Sequence, residues 1–243
     1  MYRQGAARHL TLLDLIANGT LDADTAATMS AIGQARKSFL VAAMPSQGGK
    51  TTTLEAVLDC VPEGTPIHHL SGATGQLEDL TRAATGGYLV AAEFSNHMPN
   101  YLWGPTARQA FATAKAGTYA MAGTIHASEP EEAIEQLFAY CRIADTDAAR
   151  FGYVITLHVG GGWPNIRRRV ARVFELDTVS NGAPRGRTLH RWRREDDTFA
   201  REEQAKSLGV GGGSLAARAS EFRRLAKAGR TTLADLRAVL SAS

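Results

Sequence analysis

Lys50 lies in the run Met44-Pro45-Ser46-Gln47-Gly48-Gly49-Lys50-Thr51-Thr52, which comes after apolar residues 39–43 and opens a helical pattern. Small residues let successive backbone N–H groups turn toward one anion. The helix start adds a partial positive charge and the lysine a full one. Ser46, Gln47, Gly48, Gly49, Lys50, Thr51 and Thr52 are therefore candidate phosphate contacts, and the Thr51 hydroxyl is a candidate magnesium ligand. The full pattern calls for glycine where Met44 stands and often has it where Gln47 stands. A side chain at either place costs about 1 kcal/mol if the backbone there needs a positive φ. The alternative is an ordinary strand-to-helix turn with a capping lysine.

Two further residues stand where chemistry is usually placed. The apolar run Tyr88-Leu89-Val90-Ala91-Ala92 ends on Glu93, the pattern of a parallel strand whose C-terminal end opens into a site, and a second run at 119–125 delivers His126 to its own strand end. Helical patterns at 50–60, 106–116 and 129–140 alternate with these strands. That order predicts an α/β fold with an open, mostly parallel sheet covered on both faces. Two helices at about 10–17 and 25–37 precede the first strand, the second capped by Asp22 or Asp24. After residue 145 the pattern becomes alternating, with turns at 160–165 and Asn181-Gly182, which predicts an antiparallel β meander of strands at 151–159, 166–178 and 187–192. Gly211-Gly212-Gly213 then precedes two C-terminal helices, at 214–228 and 231–240. The chain divides accordingly into a helical segment at 1–37, a core with its meander at 38–195, and a helical appendage at 196–243.

Bulk properties narrow the function classes. The chain has 243 residues and no apolar stretch approaching the roughly 20 residues of a membrane span. Its first thirty residues lack a signal peptide's pattern, so a cytoplasmic protein is expected. Cys60 and Cys141 each fall in an apolar helical pattern and read as buried free thiols. The formal charge is only +3, yet Arg167, Arg168, Arg169, Arg172, Arg185, Arg187, Arg191, Arg193 and Arg194 crowd one stretch. They are either a nucleic-acid or phosphate surface or, as the preferred reading, the solvated face of strands, since no aromatic stacking pattern is interleaved as single-strand binders prefer.

From about residue 10 to residue 240 the order of segments resembles the secretion and type IV pilus assembly ATPases, hexameric motors with a RecA-type P-loop NTPase core. The resemblance is most specific in Leu12-Leu13-Asp14-Leu15-Ile16-Ala17-Asn18-Gly19-Thr20-Leu21, in residues 107–117, in Gly123-Thr124-Ile125-His126, and in the arginine-rich strand that ends near Glu175. It implies that Lys50 and Thr51 bind ATP and Mg2+, that Glu93 is the Walker B glutamate polarising the attacking water, and that His126 is the box histidine near the γ-phosphate. It also implies a hexameric ring acting with a secretion or pilus membrane complex. Phosphoryl transfer depends on positioning and charge neutralisation, so a cation, a metal and a carboxylate converging at strand ends suffice.

The chain departs from that pattern in four places. Residues 67–72 match the family's acidic box but carry no carboxylate before Glu78 and Asp79, Gly87 takes the place of the Walker B aspartate, and Ser95 that of an arginine. About forty residues precede the phosphate loop, so the separate N-terminal domain that closes over nucleotide in the family is expected to be missing. An arginine at the γ-phosphate is worth about 10³ to 10⁵ in rate, and without one the chain would be slow. Four functions are compatible with these residues: a reduced motor ATPase, a hydrolysis-deficient nucleotide-binding regulatory subunit, an arginine-rich nucleic-acid-binding module, and, most weakly, a small-molecule kinase.

Overall fold

The computed structural model describes residues 9–45, 47–73, 75–162 and 164–242. Two short helices, α1 (Leu12–Ala17) and α2 (Ala23–Gln34), lead into β1 (Phe39–Met44), and Asp22 caps α2 by accepting from the Thr25 amide. The core continues through α3 (Lys50–Leu58), β2 (Ile67–Leu70), α4 (Gln76–Ala83), β3 (Tyr88–Phe94), α5 (Gly104–Ala116), β4 (Ala120–Ile125), α6 (Pro130–Ala139) and the single turn α7 (Asp145–Ala148). Then come β5 (Tyr153–Gly160), β6 (Arg167–Ser180), β7 (Ala183–Arg193) and β8 (Thr198–Arg201), and finally α8 (Gly212–Lys227) and α9 (Leu233–Ser241).

All eight of these strands form one sheet in the order β2-β3-β4-β1-β5-β6-β7-β8. The first five are parallel and the last three antiparallel. The expected α/β class, mostly parallel sheet, meander and closing helices are thus what the structure shows. The meander has one strand more than the pattern predicts, and it extends the core sheet rather than standing apart from it. β5 belongs to both halves: it pairs parallel with β1 and antiparallel with β6.

Side-chain alternation explains the layers. Phe39, Val41 and Ala43 of β1 point to one face, where they meet α1, α2, α3, α8 and α9, while Leu40 and Ala42 point to the other, toward α4, α5, α6 and α7. The N- and C-terminal helices therefore share a single core with one face of the sheet. α2 buries every residue from Ala23 to Gly33 except Asp24, because α8, the sheet and α3 enclose it. Both cysteines are buried and free. No helix among the described residues is long and apolar enough to cross a membrane.

A buried polar cluster fixes the meander to the chain that leaves it. The Glu175 carboxylate accepts from Tyr153 Oη at 2.9 Å, from the Lys206 and Ser207 amides at 2.9 and 2.8 Å, and from Arg187 Nη1 at 3.2 Å. Burial alone would raise its pKa, but hydrogen bonds from Lys206, Ser207 and Tyr153 hold it below the ordinary glutamate value. Elsewhere Arg169 pairs with Asp197, Arg172 with Glu129 and Glu131, Arg187 also with Asp177, and Arg191 with Glu202. Much of the arginine run is therefore internally neutralised strand surface.

Between α2 and β7, His190 is buried and its Nε2 lies 2.8 Å from Thr28 Oγ1. Burial lowers its pKa from 6.5 to about 4, with Arg201 adding to the effect and Asp22 and Asp24 opposing it. The unfolded chain therefore binds this proton more readily than the folded one. Stability from this residue is complete above pH 6.5 and falls as the pH drops toward 4, by about 3 kcal/mol over the window. Denaturant titrations of the wild type and His190→Asn should diverge in slope across that window, and parallel pH profiles would refute the assignment.

Candidate phosphate-binding site

Register decides which residues meet. β1 and β4 run level, with Ala42 opposite Ile125, and β3 and β4 run level at Phe94 and Ile125, so the chain leaves β1, β3 and β4 along one edge. That edge carries the phosphate loop after β1, Glu93 near the end of β3, and His126 directly after β4. Lys50 Nζ lies 3.3 Å from Glu93 Oε2 and 3.3 Å from both ring nitrogens of His126, while His126 Nε2 lies 3.2 Å from Glu93 Oε1. Lys50 and Glu93 are buried and His126 is partly open. The three groups that the sequence separates by up to 76 residues thus form one closed triangle.

Hydrogen bonds to the main chain hold the Glu93 and His126 corners. Leu102 N donates to Glu93 O at 2.9 Å and Ser95 N to Leu102 O at 3.2 Å, so the chain beyond β3 folds back and pins the carboxylate's strand end. Thr124 Oγ1 donates to Ala92 O at 2.7 Å, and Gln136 Nε2 donates to His126 O at 2.7 Å. Burial is the main influence holding the His126 pKa below the ordinary histidine value; the Lys50 charge and His97 add to it, and Glu93 and a hydrogen bond with Ala43 oppose it. The imidazole is therefore biased toward its neutral form, able to accept from Lys50.

The loop itself has the geometry its residue types imply. Gly49, at φ +93°, is the N-cap of α3 and offers no side-chain cap, and the first turn carries no acidic residue. The first amides of α3 are thus left for an outside acceptor. A Cβ on Gly48 would stand 2.6 Å from Ala43 Cβ and 3.2 Å from Pro45 O. Met44 ends β1 in extended conformation, so its departure from the glycine pattern causes no backbone strain. Gln47 does adopt φ +64°. Thr51 is exposed, Thr52 is half-buried, and Ser46, the remaining candidate contact, lies outside the described residues.

Arg168 is the site residue that its sequence context does not single out. From the start of β6 its Nε and Nη2 donate to the Gln47 carbonyl at 3.2 and 3.0 Å. In a trans peptide the N–H points opposite to the C=O, so this grip turns the Gly48 amide away from the guanidinium. It also braces the strained residue. The signal was present in the arginine run, but nothing in the sequence says which of its members crosses 121 residues to reach the loop.

The cavity over this edge measures about 880 Å³ and is lined by residues 47–53, Glu93, His97, Met98, Tyr101, His126 and Arg167 to Arg169, with α1 and the segment after it closing one side. Four cationic side chains, Lys50, Arg167, Arg168 and Arg169, face a single carboxylate, Glu93. Asp197 engages Arg169, which leaves Arg167 and Arg168 uncompensated by any ion pair among the described residues. Such a cavity suits a polyanion. A metal ion shared with that anion fits the same edge, because magnesium takes few protein ligands and draws the rest from phosphate and water, and Thr51 and Glu93 are the oxygen donors at hand.

Two departures from the family pattern gain a physical reading. Glu78 and Asp79 sit on α4, engaged by Gln109 and Arg82, and neither lines the cavity. Gly87 precedes β3, six residues and roughly 20 Å from Glu93, at the opposite end of the strand. No side chain there would reach the site. A Cβ would stand 2.2 Å from Pro66 O, and φ is +93°, so the position requires glycine for packing.

No protein-family profile and no curated protein matches the chain. Among solved structures it is similar to the VirB11 ATPase of the Brucella suis type IV secretion system in complex with sulphate, at 17% identity and TM-score 0.47, covering 72% of this chain and 59% of that one. It is also similar to the Yersinia pseudotuberculosis ATPase DotB, at 11% identity and TM-score 0.40, covering 83% of this chain and 53% of that one. The chain spans between half and two thirds of the length of each.

Replacing Gln47 with glycine should raise stability by about 1 kcal/mol, because the left-handed conformation then carries no Cβ. Gly48→Ala should lower it by a similar amount or more. Denaturant melts of the two variants check the pair, and a stabilising Gly48→Ala would show that the loop is not packed as described.

Proposed function

We propose that the chain binds Mg-ATP at the edge formed by the phosphate loop, Glu93 and His126, and that it hydrolyses it as a motor or accessory subunit of a type II/IV secretion or type IV pilus-like machine. The observation that carries the nucleotide reading is the convergence of Lys50, Glu93 and His126 beneath the uncapped start of α3. Lys50 as a bland capping residue would not need a buried carboxylate and an imidazole gathered about its ammonium group. The machine is the resemblance's contribution, as are a hexameric ring and work on the cytoplasmic side.

The geometry suggests how binding and chemistry connect. With no anion present, Lys50 is neutralised by Glu93. A triphosphate brought under the α3 amides offers Lys50 a stronger, multiply charged partner, and the lysine then turns from the carboxylate to the phosphate oxygens. Glu93 is thereby released to accept a proton from water, with the neutral His126 beside it to orient that water. Thr51 and the phosphate oxygens would hold Mg2+, which supplies charge neutralisation for the transferring group. Arg168, gripping the loop, and Arg167 beside it add positive charge from the same chain.

A hydrolysis-deficient regulatory subunit is the second reading, and one observation favours it: Glu93 is the only carboxylate lining the cavity among the described residues, and both of its oxygens are engaged. Steady phosphate release separates the two readings. The nucleic-acid module has less support, since Arg169, Arg172, Arg187 and Arg191 are held by carboxylates.

Lys50→Ala should weaken ATP binding by about 10- to 100-fold, the worth of one charge-assisted contact. Glu93→Gln should retain binding and lose about 10²- to 10⁴-fold in turnover. Calorimetric titration and a phosphate-release assay read the two. Unchanged hydrolysis in Lys50→Ala would end the proposal. Arg168→Ala should raise the KM for ATP about tenfold through the freed Gln47 peptide, with Arg168→Lys intermediate. An unaltered KM in both would leave Arg168 with no part in the site.

A further inference from the structure

A second cleft lies between α8 and α9, with a volume of about 520 Å³, and it shares no residue with the phosphate-binding edge. Arg218 of α8 is part of its lining and is 5% exposed. The acceptor it reaches is a neutral one, Ser30 Oγ at 3.0 Å from Nη1, while its Nε is buried with no acceptor among the described residues. A buried guanidinium without a carboxylate is a costly arrangement that native structures avoid or use.

Among the described residues no nearby group supplies the missing charge. At the rim, Glu221 receives Arg224 Nε at 2.9 Å and Asp235 receives Arg230 Nε at 2.9 Å, so both carboxylates are already committed. The Cys60 thiol, whose charged form would help, is kept protonated by burial, reinforced by Asp59. The cleft lining holds three arginines and two acids, and the unmatched positive charge is the buried one. The walls beside it are apolar, including Leu225, Ala238 and Val239. Its size falls within the range of small-molecule sites, and it sets apolar wall residues beside charged ones.

We infer that the α8–α9 cleft is a binding site for a small monoanion carried on an apolar stem, its carboxylate or other oxyanion paired with Arg218. Such a ligand gives the guanidinium a charged partner while its stem covers the leucine, alanine and valine side chains.

The test uses the full chain and hexanoate as probe, with hexanol as the uncharged stem and acetate as the bare anion. Hexanoate should raise the unfolding midpoint saturably, by about 3 to 6 °C at ten times its Kd, and hexanol and acetate by clearly less. In Arg218→Met the hexanoate shift should vanish while the variant melts at or above the wild type, because an apolar side chain of similar length removes the unpaired charge. If Arg218→Met does not fold, Arg218→Lys must still respond to hexanoate in preference to hexanol. No shift in the wild type, an equal shift with hexanol, or a shift that survives in Arg218→Met overturns the inference. None of these outcomes depends on whether ATP binds.

Discussion

A lysine ammonium group withdrawn from water must meet an anion, and the upper edge of the parallel sheet is built around that requirement at Lys50. Its partner, Glu93, arrives on a different strand, and His126 on a third. Neither would be in reach if β1, β3 and β4 were offset by one residue, because a one-residue slip also reverses the direction of every side chain. The apolar alternation that buries Phe39, Val41 and Ala43 against one helical layer and Leu40 and Ala42 against the other is what forbids such a slip. Core packing and site chemistry are therefore one constraint.

The two halves of the sheet contribute differently. The parallel half supplies the lysine, the carboxylate and the imidazole. The antiparallel half supplies Arg167 and Arg168, brought across by β5, which hydrogen-bonds to both halves. The same antiparallel half is stitched to the chain after β8 through Glu175, which accepts from two backbone amides and two side chains. The arginine strand is thus anchored at its far end by a satisfied buried carboxylate and meets the loop at its near end.

Much of this was legible in the residues. A small-residue loop between an apolar strand and a helical pattern, and two apolar runs ending on Glu93 and His126, are local signals, and local signals survive folding. The misses have a common cause. Arg168 could not be told from its neighbours because its target, Gln47, is set by tertiary pairing. β8 was hidden because it has four residues and borrows its stability from β7. α2 reads as one of two helices ahead of the core, yet its run of alanine and threonine is enclosed on nearly every side.

The return of the chain from Glu93 to Leu102 has an implication for how this architecture varies. The parallel bridge between Phe94 and Leu102 closes the excursion at its root. Residues 96–101, which bring His97, Met98 and Tyr101 to the rim of the cavity, hang from that root as a detachable span. Lengthening a closed loop is thermodynamically cheap, roughly 0.6 kcal/mol for each doubling. Descendants of this chain are free to rebuild the span, and with it the company the site keeps, with the carboxylate left where it stands.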